Sequence, residues 1–143
     1  ALSEGNFDAA GGAGRQSGGG RVHVFAERDE QSWAEVATVA LPATLDAGDY
    51  SALSVRGDRL AVLSQVSALL WVGRLHPRDW DIMDGGRTYR LPLDPQGRTV
   101  YGTAEGVTWL SENTVAIVSD RARRDQPDWM RAQQESVHVF RLP

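Results

Sequence analysis

Cysteine is absent from the 143 residues, which excludes a disulfide framework, a thiolate metal site and a cysteine nucleophile. Lysine is absent as well: all 15 basic residues are arginine, and isoleucine is scarce while alanine and glycine are abundant. That bias reads as the codon usage of a GC-rich, bacterial genome. No run of about 18 apolar residues occurs, so no membrane-spanning helix is encoded. No signal-peptide pattern is visible either, and because the sequence opens on Ala1 this leaves export open. The arginines are scattered among 19 acidic residues for a net charge of −4, which excludes the basic stripe of a nucleic-acid footprint.

What is present is ordinary for a folded soluble domain. Hydrophobic residues make up 41% and charged residues 24%, a balance that supports one modest core rather than a disordered chain. The informative feature is repetition. "RGDRLAVLSQ" (Arg56 to Gln65) lies over "SENTVAIVSD" (Ser111 to Asp120) without a gap, each a turn, an apolar run, then serine and a polar residue. A strand-like run precedes each turn, "YSALSV" (Tyr50 to Val55) and "EGVTWL" (Glu105 to Leu110). "LSE" (Leu2 to Glu4) matches the ends of both copies. "VHVF" occurs at Val22 to Phe25 and again at Val137 to Phe140, with "LLWV" (Leu69 to Val72) in the corresponding middle place. The copies recur at roughly 55–60 residues, within the range of the longer propeller-type repeats.

Each unit therefore reads as four antiparallel strands, a to d, with "WAEVATVALP" (Trp33 to Pro42) and "TYRLPL" (Thr88 to Leu93) as fourth strands. Their β-branched and aromatic content and partial alternation suit half-buried strands. Gly57-Asp58 and Glu112-Asn113 supply the turns between strands a and b. Serial four-stranded antiparallel units are the mark of a β-propeller. The expected fold is all-β: three blade-like units over about 1–42, 50–93 and 104–143, the first and last incomplete, in one domain. The terminal "FRLP" also resembles "YRLP" of strand d, but the longer "VHVF" identity assigns it to strand c. Read this way the chain begins inside a strand b and stops after a strand c. The expected partner is then the N-terminal half of a propeller of about six blades, with this chain a cleavage product held by that half or a fragment of it.

In such a fold the ends of strands b and the starts of strands a emerge on one face around the channel. Glu4, Gln65 and Asp120 stand at the b ends, and Tyr50 and Glu105 at the a starts. "EGNFD" adds Asn6 and Asp8 to Glu4 at alternating spacing. Calcium takes six to eight oxygens from such groups, so Glu4, Asn6, Asp8, Glu105 and Asp120 are the candidate metal ligands. The plainer alternative is solvated loop carboxylates, with Ser3, Ser64 and Ser119 capping turns. Two long b–c loops share that face. "FDAAGGAGRQSGGGR" (Phe7 to Arg21) is glycine-rich but lacks the strand-to-helix setting of a phosphate loop. "RARRDQPDWMRAQQES" (Arg121 to Ser136) offers a short helix around Asp128 to Gln134. Its Arg121, Arg123 and Arg124, with Tyr50 nearby, would grip a phosphate or carboxylate, or else pair with Asp125 and Asp128 as a solvated loop.

His23 and His138 occupy matching positions in the two "VHVF" strands, which points to a repeated structural role; no Ser-His-Asp set follows from spacing. The five tryptophans read as blade packing, although Trp80 and Trp129 sit in polar, loop-like surroundings.

At "EGVTWL … VAIVSDR", and in "LSEGN" and "SVHVFRLP", the chain resembles the six-bladed propellers of the phytase-like (esterase-like phytase) group. It is similar, more distantly, to the gluconolactonase and senescence-marker propellers. The resemblance implies an acidic central face, often calcium-bearing, and in some members phosphoester or lactone hydrolysis; Glu4, Glu105 and Asp120 map to that face. Two departures stand out: no lysine is present to meet a phosphate, and the acidic set is thinner than a multi-calcium site requires. Two functions follow, a binding or scaffold module of unknown ligand and a calcium-dependent hydrolase of a phosphoester or lactone.

Overall fold

The middle unit forms the best-covered sheet, because its two central strands, "RLAVLS" and "LLWVGR", are apolar on both faces. In the computed structural model, which describes residues 6–7, 13–14, 19–121 and 127–143, this unit is a four-stranded antiparallel meander. Its strands are β5 (Ala52–Arg56), β6 (Arg59–Ser64), β7 (Leu69–Arg74) and β8 (Arg87–Arg90). The turn between β5 and β6 falls on Gly57, whose φ of 60° is the left-handed conformation that glycine adopts at no steric cost. β8 stops short of the expected Leu93, since Pro92 has no N–H to continue the ladder with β7.

On either side stand sheets of fewer strands. β3 (Arg21–Asp29) and β4 (Ser32–Ala40) form a hairpin at the positions expected for strands c and d of the first unit. β9 (Ala104–Ser111), β10 (Thr114–Ser119) and β11 (Ser136–Arg141) form a three-stranded meander in the order β11-β10-β9, the expected strands a, b and c of the third. "FRLP" thus begins within β11, as strand c. Near the start of the chain β1 (Asn6–Phe7) pairs antiparallel with β2 (Ala13–Gly14). The expected helix is two turns of 3-10 helix, Asp128–Gln133. Among the described residues no helix is long and apolar enough to cross a membrane.

The sheets stack face to face through two apolar layers. Side chains alternate along a strand with period two, so Leu60, Val62, Leu69 and Trp71 meet Val22 and Val39 of the first sheet and Leu41 just beyond it. From the same strands Ala61, Leu63, Leu70 and Val72 meet Val107, Trp109, Val115 and Ile117 of the third. Each fully buried aliphatic side chain contributes roughly 1.5–3 kcal/mol of hydrophobic stabilisation, and β6 and β7 contribute four residues to each layer. β5 and β9 lie beside each other and are cross-linked: Trp109 Nε1 donates to the Ser54 carbonyl at 3.2 Å, and Ser51 Oγ to the Ala104 carbonyl at 3.0 Å. Among the described residues the architecture is all-β, with three antiparallel sheets side by side, besides the short β1–β2 pair, that do not close into a ring.

Trp71 has the tightest seat. A Cβ on Gly73 would come within 2.1 Å of its ring and one on Gly86 within 2.4 Å, so the indole lies in a slot that only glycine leaves open. Its Nε1 donates to the Gly85 carbonyl at 3.1 Å, which satisfies the one polar atom of the indole.

Candidate functional site at the loop end of the third sheet

The β9–β10 register brings the acidic residues of "AEGVTWLSENTVAIVSD" to one end of the sheet. Val118 faces Gly106 and Ser119 faces Ala104, so Glu105 is the extra residue of a bulge. Beyond it, the Asp120 N–H donates to the Thr103 carbonyl at 2.8 Å. Glu105 and Asp120 are both exposed. Asp120 Oδ1 accepts from the Arg121 backbone N–H at 2.7 Å, while the Arg121 side chain is exposed. Gln65 lies at the same end, its Nε2 donating to the Gly102 carbonyl at 2.6 Å.

Tyr50 has a different setting. Its ring is buried between the first and second sheets, close enough to Gly20 that a Cβ there would lie 2.4 Å from the ring. Asn6 falls in β1, and its side chain lies outside the described residues, as do Glu4, Asp8, Arg123 and Arg124. Among the described residues no three His, Cys, Asp or Glu side chains gather as a metal would require. The calcium set is therefore represented there only by Glu105 and Asp120.

The same end carries a cleft of about 450 Å³ between the 92–101 loop and the 3-10 helix. Pro92, Pro95, Tyr101 and Trp129 supply its apolar lining, and Arg98 lies over the Trp129 ring at 4.4 Å. The helix is seated by Met130 against Gly102, where a Cβ would meet Sδ at 2.7 Å. Burial pushes the Tyr101 hydroxyl above its ordinary pKa, so it is a neutral donor at physiological pH.

Behind the cleft runs a polar chain with no counterpart in the expected site. Tyr101 Oη lies 3.5 Å from His138 Nδ1, and His138 Nε2 lies 2.6 Å from Ser136 Oγ. Ser136 Oγ donates to the Gln133 carbonyl at 2.6 Å. A hydroxyl has one proton and a carbonyl only accepts, so every group is satisfied in one direction. Tyr101 gives its proton to Nδ1, Nε2–H gives to Ser136, and Ser136 gives to Gln133. In that arrangement the serine proton points away from the imidazole, and the chain ties the 3-10 helix to β11 rather than activating a nucleophile. The signal lay in the sequence: Ser136 and His138 are two apart in a strand, which places both on one face with Phe140. His23, at the matching position of β3, meets Glu35 at 3.2 Å and Thr38 at 3.3 Å, so the two histidines share a strand position and not a set of partners.

At the opposite, turn end of the second sheet is a second cleft, of about 570 Å³, beside Asp58, Arg59, Arg74 and Arg87. Arg74 donates to Asp58 through Nε at 2.9 Å and through a second nitrogen, and that hydrogen bonding holds the Asp58 carboxyl below its ordinary value.

Comparison with family models, with curated proteins and with solved structures finds no match.

Proposed function

We propose that the chain is a run of three successive blades of a β-propeller that serves as a binding or scaffold module, completed by the N-terminal half of the same propeller. What supports the reading is a repeated face. By the strand registers, Val118, Val137 and Val139 of the third sheet stand where Leu63, Leu70 and Val72 stand in the second. The three in the second sheet are buried against the sheet that follows. Those in the third are 44%, 65% and 63% exposed. Each sheet thus offers the same apolar face to a successor, and the third has none among the described residues.

The test is co-expression with the polypeptide encoded upstream, followed by native mass measurement. A one-to-one complex is expected. A stable lone monomer of 15.6 kDa in the presence of that polypeptide sinks the reading. The ligand face is the end where Gln65, Glu105, Asp120 and Arg121 emerge, with Arg121, Arg123 and Arg124 as the anion-gripping set.

A second reading, a calcium-dependent hydrolase of a phosphoester or lactone, is favoured by the arrival of Glu105 and Asp120 at one hairpin end. The likeness of "EGVTWL … VAIVSDR" to the phytase-like group points the same way. Calcium would act there as Lewis acid and activator of water. A thermal-shift titration with calcium, magnesium and a chelator tests it. A midpoint indifferent to all three, in the native chain and in Glu105→Gln and Asp120→Asn, removes it.

A further inference from the structure

Resting on the proposal of successive blades, we propose that the free edge of β11 takes up an extended segment of a partner polypeptide as a fourth antiparallel strand. The partner residue that falls opposite Val137 is aromatic or large and aliphatic.

The second sheet is the template. There the outer edge of β7 is covered by β8 in the register Leu69↔Arg90, Leu70↔Tyr89, Trp71↔Thr88 and Val72↔Arg87. Ser64 faces Leu69 and Ser119 faces Ser136, so Ser136, Val137, His138 and Val139 occupy the positions of those four β7 residues. Among the described residues no strand covers them.

The three sheets differ in how their outer edges are guarded. Exposed edges resist added strands through bulges, charges, prolines or shortness. β4 has a register step that leaves Val36 unpaired, next to Glu35. β8 is four residues long with an arginine at each end. β11 is six residues long, pairs with β10 without a register shift, and carries no acidic residue or arginine before Arg141. It is the one outer edge of the three built to accept a strand.

The face beside that edge specifies the partner. Tyr89 packs with Leu70 into the layer between the second and third sheets, and Arg87 lies on the same side with its guanidinium 5.9 Å from the Tyr89 ring centroid. Val137 and Val139, in the places of Leu70 and Val72, lack such cover. An aromatic residue opposite Val137 and a long-stemmed polar residue opposite Val139 would reproduce it, while the backbone ladder supplies the affinity.

The probe is a labelled peptide with the sequence of residues 86–93, compared with a scrambled peptide that destroys the alternation. Binding to the 143-residue chain is read by fluorescence anisotropy, and its location by hydrogen exchange. Saturating peptide is expected to slow exchange of the β11 amides by about tenfold or more, with the scrambled peptide inert. Replacing the peptide tyrosine by alanine weakens binding. So does the double change Val137→Lys and Val139→Lys, which alters two exposed side chains and leaves the thermal midpoint in place.

Equal binding of the scrambled peptide, or protection elsewhere in the chain, overturns the proposal. Protection of β11 by concentration-dependent self-association does the same. If the chain still forms the complex with its upstream half while ignoring the peptide, strand addition fails and the blade proposal stands. If that complex is lost while the peptide still protects β11, strand addition stands and the blade proposal fails.

Discussion

Ser64 Oγ donates to Asp49 Oδ1 at 2.6 Å, whereas Ser119, its counterpart in the third sheet, makes no such bond among the described residues. Ser119 takes the place of Ser64. Its hydroxyl is buried and has no hydrogen-bond partner among the described residues. Ser64 also caps the turn after β6 by accepting from the Ser67 N–H at 3.1 Å, and Asp49 accepts from the Val66 N–H at 3.0 Å. Breaking a satisfied buried network leaves partners stranded, whereas removing an unsatisfied hydroxyl does not. Ser64→Ala is expected to cost about 1–3 kcal/mol in urea unfolding, and Ser119→Ala to change stability by no more than about 0.5 kcal/mol. Equal costs at the two positions would show that the Asp49 contact contributes nothing.

The slot around Trp71 gives a second expectation. Gly86 has φ 65° and lies against the indole, so an added methyl group meets both backbone strain and a ring that cannot move. Gly86→Ala is expected to destabilise by more than the roughly 1 kcal/mol of a left-handed alanine alone. Trp71→Ala empties the layer between the first and second sheets and should cost about 3–5 kcal/mol. Gly57 has nearly the same φ with nothing within 4 Å of an added Cβ. Gly57→Ala therefore isolates the backbone part, and a Gly86→Ala cost no larger than that of Gly57→Ala would refute the packing argument.

The strand plan was legible in the sequence because the repeat and the period-two alternation are both local signals. "RLAVLS" and "TVAIVS" became β6 and β10, and both turns fell at the expected dipeptides. The site was less legible. Glu105 and Asp120 reach one end because β9 and β10 form a hairpin, as expected, but the bulge that takes Glu105 out of the pairing is not encoded by apolar alternation. Tyr50 stands two residues before β5 rather than at its start, and packing over Gly20 buries it, a contact between units distant in sequence. The Tyr101–His138–Ser136 chain needed the 92–101 loop to fold back onto β11. Only its Ser136–His138 half was visible as a spacing.

That chain leads to a third prediction. Because the Ser136 proton is directed to the Gln133 carbonyl, Ser136 is expected to resist a fluorophosphonate probe. Ser136→Ala and Tyr101→Phe should instead loosen the 3-10 helix, read as faster hydrogen exchange over residues 128–135 and a changed emission of Trp129. Covalent labelling of Ser136, lost in His138→Gln, would make the pair a nucleophile and base and overturn the structural role.

Acid should weaken the fold through its exposed carboxylates. Hydrogen bonding by Arg74 lowers the Asp58 pKa, Thr38 and then His23 lower that of Glu35, and Ser32 and then the Gln31 backbone lower that of Asp29. A carboxyl whose pKa is depressed in the folded state binds fewer protons there than in the unfolded chain. Its stabilisation is complete above the unfolded value and is lost as pH falls through the folded one. The urea midpoint is therefore expected to be steady above about pH 5 and to drop below about pH 4. Asp58→Asn should flatten part of that drop by removing the group whose protonation breaks the Arg74 pair. All three carboxylates lie near the surface, so added salt should reduce the drop as well. A midpoint that stays constant through the acid window, or falls equally in Asp58→Asn, would mean that Asp58 and Arg74 meet without stabilising the folded chain.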